Sequence, residues 1–118
     1  MINMQSKRIK AILSLLDACD NIIDIGCDHA YVAILMAHKG SKKILATDIH
    51  KGALEIAKDN IKKEGLENII QTKLTDGLVD IDTKEYNTLV IAGMGTTTII
   101  SILSLKEKLK SIKKIIIQ

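Results

Sequence analysis

Asn21-Ile22-Ile23-Asp24-Ile25-Gly26-Cys27-Asp28-His29-Ala30-Tyr31, residues 21–31, is the stretch that decides the fold. A short β-branched run ends in glycine, and helix-forming residues follow at once. An apolar run of this length reads as a strand buried on both faces, the habit of parallel sheets. Gly26 frees the backbone to turn tightly and to come close to a ligand. From His29 to Lys39 the chain then reads as a helix, with Gly40 where its stop belongs.

The same unit repeats outward from this centre. Upstream, residues 6 to 19 are expected to form a helix capped by Ser6, with Ile9, Ile12, Leu13, Leu15 and Leu16 at helical spacing. Asp20 and Asn21 break it. Downstream, residues 43–48 read as a second strand. Lys51 to Glu64 reads as a helix with Ala53, Leu54, Ile56, Ala57 and Ile61 inward and Gly65 ending it. Residues 68–74 are a third strand, closed by Thr75-Asp76-Gly77. Residues 78–86 read as a loop or a short helix. Residues 87–92 are a fourth strand, and Gly93-Met94-Gly95 turns into a helix from Thr97 to Leu105. A lysine-rich connection or short helix leads to a fifth strand at residues 114–117. Strands alternating with helices imply an α/β fold: one parallel sheet, helices on both faces, right-handed crossovers.

Composition bounds what the chain does. Its 118 residues suit one domain, residues 1–118, and 47% of them are hydrophobic. With no Phe or Trp, and only Tyr31 and Tyr86 aromatic, the core must be aliphatic. The formal charge of +3, from 17 basic and 14 acidic side chains, permits nucleic-acid contact but equally describes an ordinary lysine surface. Cys19 and Cys27 form no C-x-x-C pair, so no metal is expected and both thiols read as reduced. The opening residues lack a leader pattern, and no apolar stretch is long enough to span a bilayer. The expectation is a cytoplasmic protein away from membranes.

In a doubly wound sheet ligands bind beyond the carboxyl ends of the strands, at the switch in strand order. The turns there are Gly26 to His29, Asp48 to His50, Asp76-Gly77 and Gly93 to Gly95. Three of these four carry an acid and three carry glycine. Asp28 stands where a G-x-G-x-x-G dinucleotide loop has its second glycine. A carboxylate there repels a pyrophosphate and suits an ammonium or sulfonium cation, which favours S-adenosylmethionine over NAD; a plain cap on the next helix is the other reading. Asp48, 24 residues after Asp24, is placed to accept from ribose hydroxyls. Asp76 and Gly77 suit an adenine edge, or a plain turn. Gly93-Met94-Gly95 leaves bare backbone for a flat substrate, or simply a tight turn. His29 reads as helix packing or site lining, while His38 and His50 read as surface residues. Lys7 and Arg8 are candidates to meet phosphate, against a solvated helix face.

The strings SKRI at 6–9, DIGCDHAY at 24–31, TDGL at 75–78, IAGMGTTTI at 91–99 and the closing IIIQ resemble the bacterial tRNA adenine N1-methyltransferases called TrmK, over essentially the whole chain. The resemblance implies a Rossmann-like class I methyltransferase sheet with strand order 3-2-1-4-5. It implies S-adenosylmethionine as cofactor, held by Asp24, Gly26, Asp48, Ile49, Asp76, Gly77, Ala92 and Gly93. It further implies a catalytic group of Asp28, His29 and Tyr31, substrate contacts from Lys7, Arg8, Met94 and Gly95, and tRNA as partner, methylated on adenine 22. Thr96 replaces a glycine expected after AGMG, and Val32-Ala33 stands where Leu-Pro is usual. The family continues past the fifth strand with Pro-Asn, two more strands and a helical extension. The chain is therefore expected to be incomplete at its C-terminus, with an exposed fifth strand inviting self-association. Two other readings stay in view: a cofactor- or partner-binding fragment without turnover, and a nicotinamide enzyme.

Overall fold

The structure, a computed structural model, describes residues 6–118. The reading of the opening residues as lacking a leader falls partly on residues 1–5, outside that range. Five parallel strands form one sheet: β1 Ile22–Ile25, β2 Ile44–Asp48, β3 Ile70–Leu74, β4 Thr88–Ile91 and β5 Lys114–Ile117. Their order is β3-β2-β1-β4-β5, as the resemblance implies. Helices α1 Lys7–Ser14, α2 Tyr31–Lys39, α3 Lys51–Lys63 and α4 Thr96–Leu103 pack on it, and a short 3-10 turn spans Lys106–Leu109. Among the described residues no helix is long and apolar enough to cross a membrane.

Two aliphatic layers flank the sheet, because successive strand residues face opposite ways. Ile22, Ile44 and Ala46 face one way and pack with Ile12, Leu16, Ile34, Met36 and Leu54. Ile23, Ile25 and Leu89 face the other, with Leu78, Ile81 and Ile102. Each fully buried Ile or Leu contributes about 1.5–3 kcal/mol. The register sets Asp24 level with Ala46 and Val90, so the residues just beyond each strand meet along one edge.

Several boundaries differ from the sequence reading. The first helix ends at Ser14, not residue 19. Local polar groups compete for its backbone: the Asp20 carboxylate accepts from the Asp17 N–H at 2.8 Å, and the Lys39 ammonium donates to the Leu16 carbonyl at 3.1 Å. Leu15, expected inward, is therefore exposed, and so is Ile56 on the outer face of α3. The third strand starts at Ile70 rather than residue 68. Residues 78–86 form a loop, pinned to the 3-10 turn by Thr83 Oγ1 donating to the Lys108 carbonyl and Lys108 Nζ to the Ile81 carbonyl.

On β5, Ile116 is buried while Ile115 and Ile117 are 41% and 49% exposed. Lys114 ties the strand to the turn after α1, donating to Asp20 at 2.8 Å, Asp17 at 3.1 Å and the Leu15 carbonyl at 3.1 Å. Burial alone would push the Asp20 carboxyl up. The Lys114 ammonium and the Asp17 N–H outweigh it and hold that carboxyl below its usual range.

Candidate active site

Beyond the carboxyl ends of β1 to β4 lies a cleft of about 480 Å³, within the size range of small-ligand sites. Its first wall is the turn after β1. Three residues there have left-handed backbone: Gly26 at φ 73°, Asp28 at 52° and Ala30 at 64°. For the two non-glycines this costs on the order of 1 kcal/mol each. It also delays α2, which starts at Tyr31 rather than His29, and Ala30, at its N-cap, makes no side-chain capping bond. Asp28 therefore does not cap the helix. Gly26 is favoured by its φ, and a Cβ there would also press on the Ala92 carbonyl oxygen at 3.2 Å and require the flexible Met94 methyl, at 2.8 Å, to shift.

The turn is locked to the end of β2. The Asp28 N–H donates to Asp48 Oδ2 at 3.0 Å, and the His50 N–H donates to Oδ1 at 2.9 Å. The His50 ring meets Oδ1 through Nδ1 at 3.2 Å, which requires the proton on that nitrogen. Asp48 is thus a buried carboxylate on the cleft wall, while Ile49 beside it is 57% exposed and offers a flat apolar surface.

Asp24 lies beneath this wall and not on it. It is 2% exposed, on the same face of the sheet as Asp48 and two positions short of it in register. Burial, with the Asp48 charge added, pushes its carboxyl up to about 7. The neighbouring Cys27 thiol is pushed far up by burial and by the charges of Asp24, Asp48 and Asp28. It is a packed thiol, not a nucleophile.

Thr75, Asp76 and Gly77 close the far end. Thr75 is 7% exposed, and its Oγ1 has no hydrogen-bond partner among the described residues. After β4, Ala92, Gly93, Met94 and Gly95 form the remaining wall. The Arg8 guanidinium lies over Gly93: a Cβ at that glycine would fall 2.5 Å from its Nη2. Among the described residues Arg8 makes no ion pair.

Arg8, Gly26, Asp28 and Ala92 also border a second hollow of about 290 Å³, which adjoins the first. His29 and Tyr31 line it, their rings edge to face with centroids 5.5 Å apart. His29 Nε2 is 3.7 Å from the Asp28 carboxylate, which is 77% exposed.

Most residues singled out in the sequence meet here. Asp28, Asp48, Ile49, Asp76 and Gly77 line the cleft with Gly26, Arg8 and the 92–95 turn. Asp28, His29 and Tyr31 share the second hollow. Lys7 is exposed on α1 and lines neither. His38 pairs with Glu64 at 2.8 Å, a surface contact. His50, read as a surface residue, stands on the cleft rim and holds Asp48. Thr47, Thr75 and Thr98 also line the cleft. Only Thr75 carried a signal, standing directly after a strand.

A family model described as a methyltransferase domain matches residues 5–118. The tRNA (adenine(22)-N(1))-methyltransferase of Bacillus subtilis is 35% identical over 116 residues, covering 96% of this chain and 48% of that protein. The structure of TrmK from M. capricolum in complex with S-adenosyl-homocysteine superposes with a TM-score of 0.86 at 35% identity, over 98% of this chain and 52% of that one. Sp1610 of Streptococcus pneumoniae in complex with S-adenosyl-L-methionine gives a TM-score of 0.88 at 32% identity, over 97% and 55%. The chain spans about half the length of each of these relatives.

Proposed function

The chain belongs to the methyltransferase-domain family, and from that premise we propose that it is the cofactor-binding part of an S-adenosylmethionine-dependent enzyme that methylates N1 of an adenine in tRNA, at position 22. The observation that carries this reading is the acidic glycine turn. The Asp28 carboxylate is exposed and caps no helix, beside the bare backbone of Gly26. With Asp48 and Asp76 on the walls, the cleft is lined by three carboxyl groups and one guanidinium, and the buried Asp24 lies beneath. That balance suits a cation and opposes a pyrophosphate, which weighs against a nicotinamide enzyme.

The residues present fit the cofactor. The Thr75 hydroxyl, without a partner among the described residues, and the left-handed glycine turns at Gly26, Gly77 and Gly93 are features of a polar site shaped for a ligand. Asp48 would accept from the ribose hydroxyls, Ile49 would pack on the adenine, and Asp76 with the Gly77 N–H would read its edge. The turn at Gly26 would take the amino-acid end, with Asp24 below and Ala92 and Gly93 opposite. When bound, S-adenosylmethionine supplies an electrophilic methyl group on a sulfonium.

Adenine N1 is largely unprotonated at neutral pH, so its lone pair needs no base before attack. The protein's task is to orient the base and to offset the charge that N1 gains. Asp28 is the group for that charge. The second hollow, lined by His29 and Tyr31, would receive the base, against Met94 and Gly95. Arg8 and Lys7 on α1 would meet the phosphates, a salt-sensitive contact. A tRNA substrate puts the work in the cytoplasm. The test is nucleoside analysis of tRNA from cells lacking the gene. Loss of 1-methyladenosine, restored by the wild-type gene and not by Asp48→Ala, is expected. Unchanged 1-methyladenosine would refute the substrate.

A further inference from the structure

The Asp48 carboxylate, the proposed ribose contact, is already nearly full in the structure. A carboxylate offers about four acceptor sites, two on each oxygen. Oδ2 accepts the Asp28 N–H at 3.0 Å and keeps its other site open. Oδ1 accepts twice from a single residue: the His50 N–H at 2.9 Å and the His50 ring, through Nδ1, at 3.2 Å. The two backbone donors are fixed, since they belong to the turn after β1 and to the N-cap of α3. The ring is not. Its side chain is 80% exposed against 7% for Asp48, and it makes no capping bond to α3. Among the described residues its one hydrogen-bond partner is Asp48. A ribose cis-diol therefore brings two donors to a wall where a single acceptor site is open.

We propose that the His50 imidazole is an autoinhibitory plug. It occupies, on Asp48 Oδ1, the acceptor site that one ribose hydroxyl needs, and it swings into solvent when a ribonucleoside binds. The backbone N–H groups of Asp28 and His50 hold the carboxylate still throughout. With the ring gone, one site is open on each oxygen, which matches the two hydroxyls of the diol. The exposed ring loses little by leaving, because water takes over its N–H. The consequence appears in affinity: a cleft that is plugged part of the time binds its ligand more weakly, in proportion to the fraction that is open. The inference rests on reading the cleft as an S-adenosylmethionine site with Asp48 on the ribose.

The test is calorimetry of the wild type, His50→Ala and His50→Phe with S-adenosylhomocysteine. Both variants keep the backbone N–H and remove the ring N–H, and phenylalanine also keeps a ring's bulk on the rim. Both should bind about twofold to fivefold more tightly than the wild type, the worth of one exposed hydrogen bond to a carboxylate. Nitrogen NMR of the wild-type imidazole gives a second readout. On saturation with S-adenosylhomocysteine the His50 ring signals should move to those of a free imidazole. A His50→Ala variant that binds no more tightly than the wild type would overturn the plug. So would a gain confined to His50→Ala, which marks bulk and not the hydrogen bond as the obstacle, or ring signals that stay put on saturation. If the folded wild type and both variants bind no S-adenosylhomocysteine, the cofactor reading itself is wrong and the plug falls with it.

Discussion

Replacing Asp24 by asparagine should make the protein more stable above neutral pH, although it alters a residue of the glycine motif. Asp24 is 2% exposed, and burial with the nearby Asp48 charge raises its carboxyl from 3.8 to about 7. Between those values the folded protein holds a proton that the unfolded chain has released. Stability from this group is therefore fully present below about pH 4, falls as the pH rises toward 7, and stays low above it. A rise from 3.8 to about 7 corresponds to a loss on the order of 4 kcal/mol. Asparagine matches the shape and carries no charge to bury. Asp24→Asn should therefore lie within about 1 kcal/mol of the wild type at pH 5 and exceed it by roughly 2–4 kcal/mol at pH 8. Urea unfolding followed by circular dichroism at the two pH values reads this directly. A variant equally destabilised at both would show that Asp24 is ionised and satisfied in the fold, and would refute the reasoning.

Other outcomes follow from the same geometry. Asp48→Ala should weaken S-adenosylhomocysteine more than Asp28→Ala does, with about 1.5–3 kcal/mol lost per charged hydrogen bond, measured by calorimetry. Asp28→Ala should mainly slow methyl transfer in the complete enzyme; unchanged turnover would remove Asp28 from the base site. Asp28→Gly keeps the left-handed turn and its N–H to Asp48, so it should lose less cofactor affinity than Asp28→Val, which is strained at φ 52°. Lys114→Met should raise the Asp20 carboxyl and flatten the loss of stability on acidification that this pair now produces, seen as a smaller fall in Tm as the pH drops through the carboxylate range. The exposed Ile115 and Ile117 on the edge strand β5 should drive this 118-residue chain to self-associate, and Ile115→Lys should reduce that in sedimentation.

The strand alternation was legible because short aliphatic runs recur between helical patterns, with Gly26, Asp48, Asp76 and Gly93 at or just beyond the ends of β1 to β4. The order of the sheet was legible through the family strings. Helix ends were less so. Nothing local in residues 15–19 announces that Asp20, Lys39 and Lys114 capture their backbone, since Lys114 is 94 residues from Asp20. The late start of α2 depends on left-handed backbone at Asp28 and Ala30, which no propensity favours for alanine. The site residues at strand ends were readable from position alone. His50 was not, because its role depends on a side chain folding back onto Asp48 across an exposed rim. Nor was the displacement of Asp24 from the wall to beneath it, which depends on register: Asp24 lies two positions short of Asp48 along the sheet.

The central claim is that the cleft over β1 to β4 is built for a cationic nucleoside cofactor. Isothermal calorimetry of the chain with S-adenosylmethionine, S-adenosylhomocysteine and NAD tests it most directly. The account predicts binding of the first two, lost in Asp48→Ala, and no measurable heat with NAD. Tight NAD binding without a response to either adenosyl compound would contradict it.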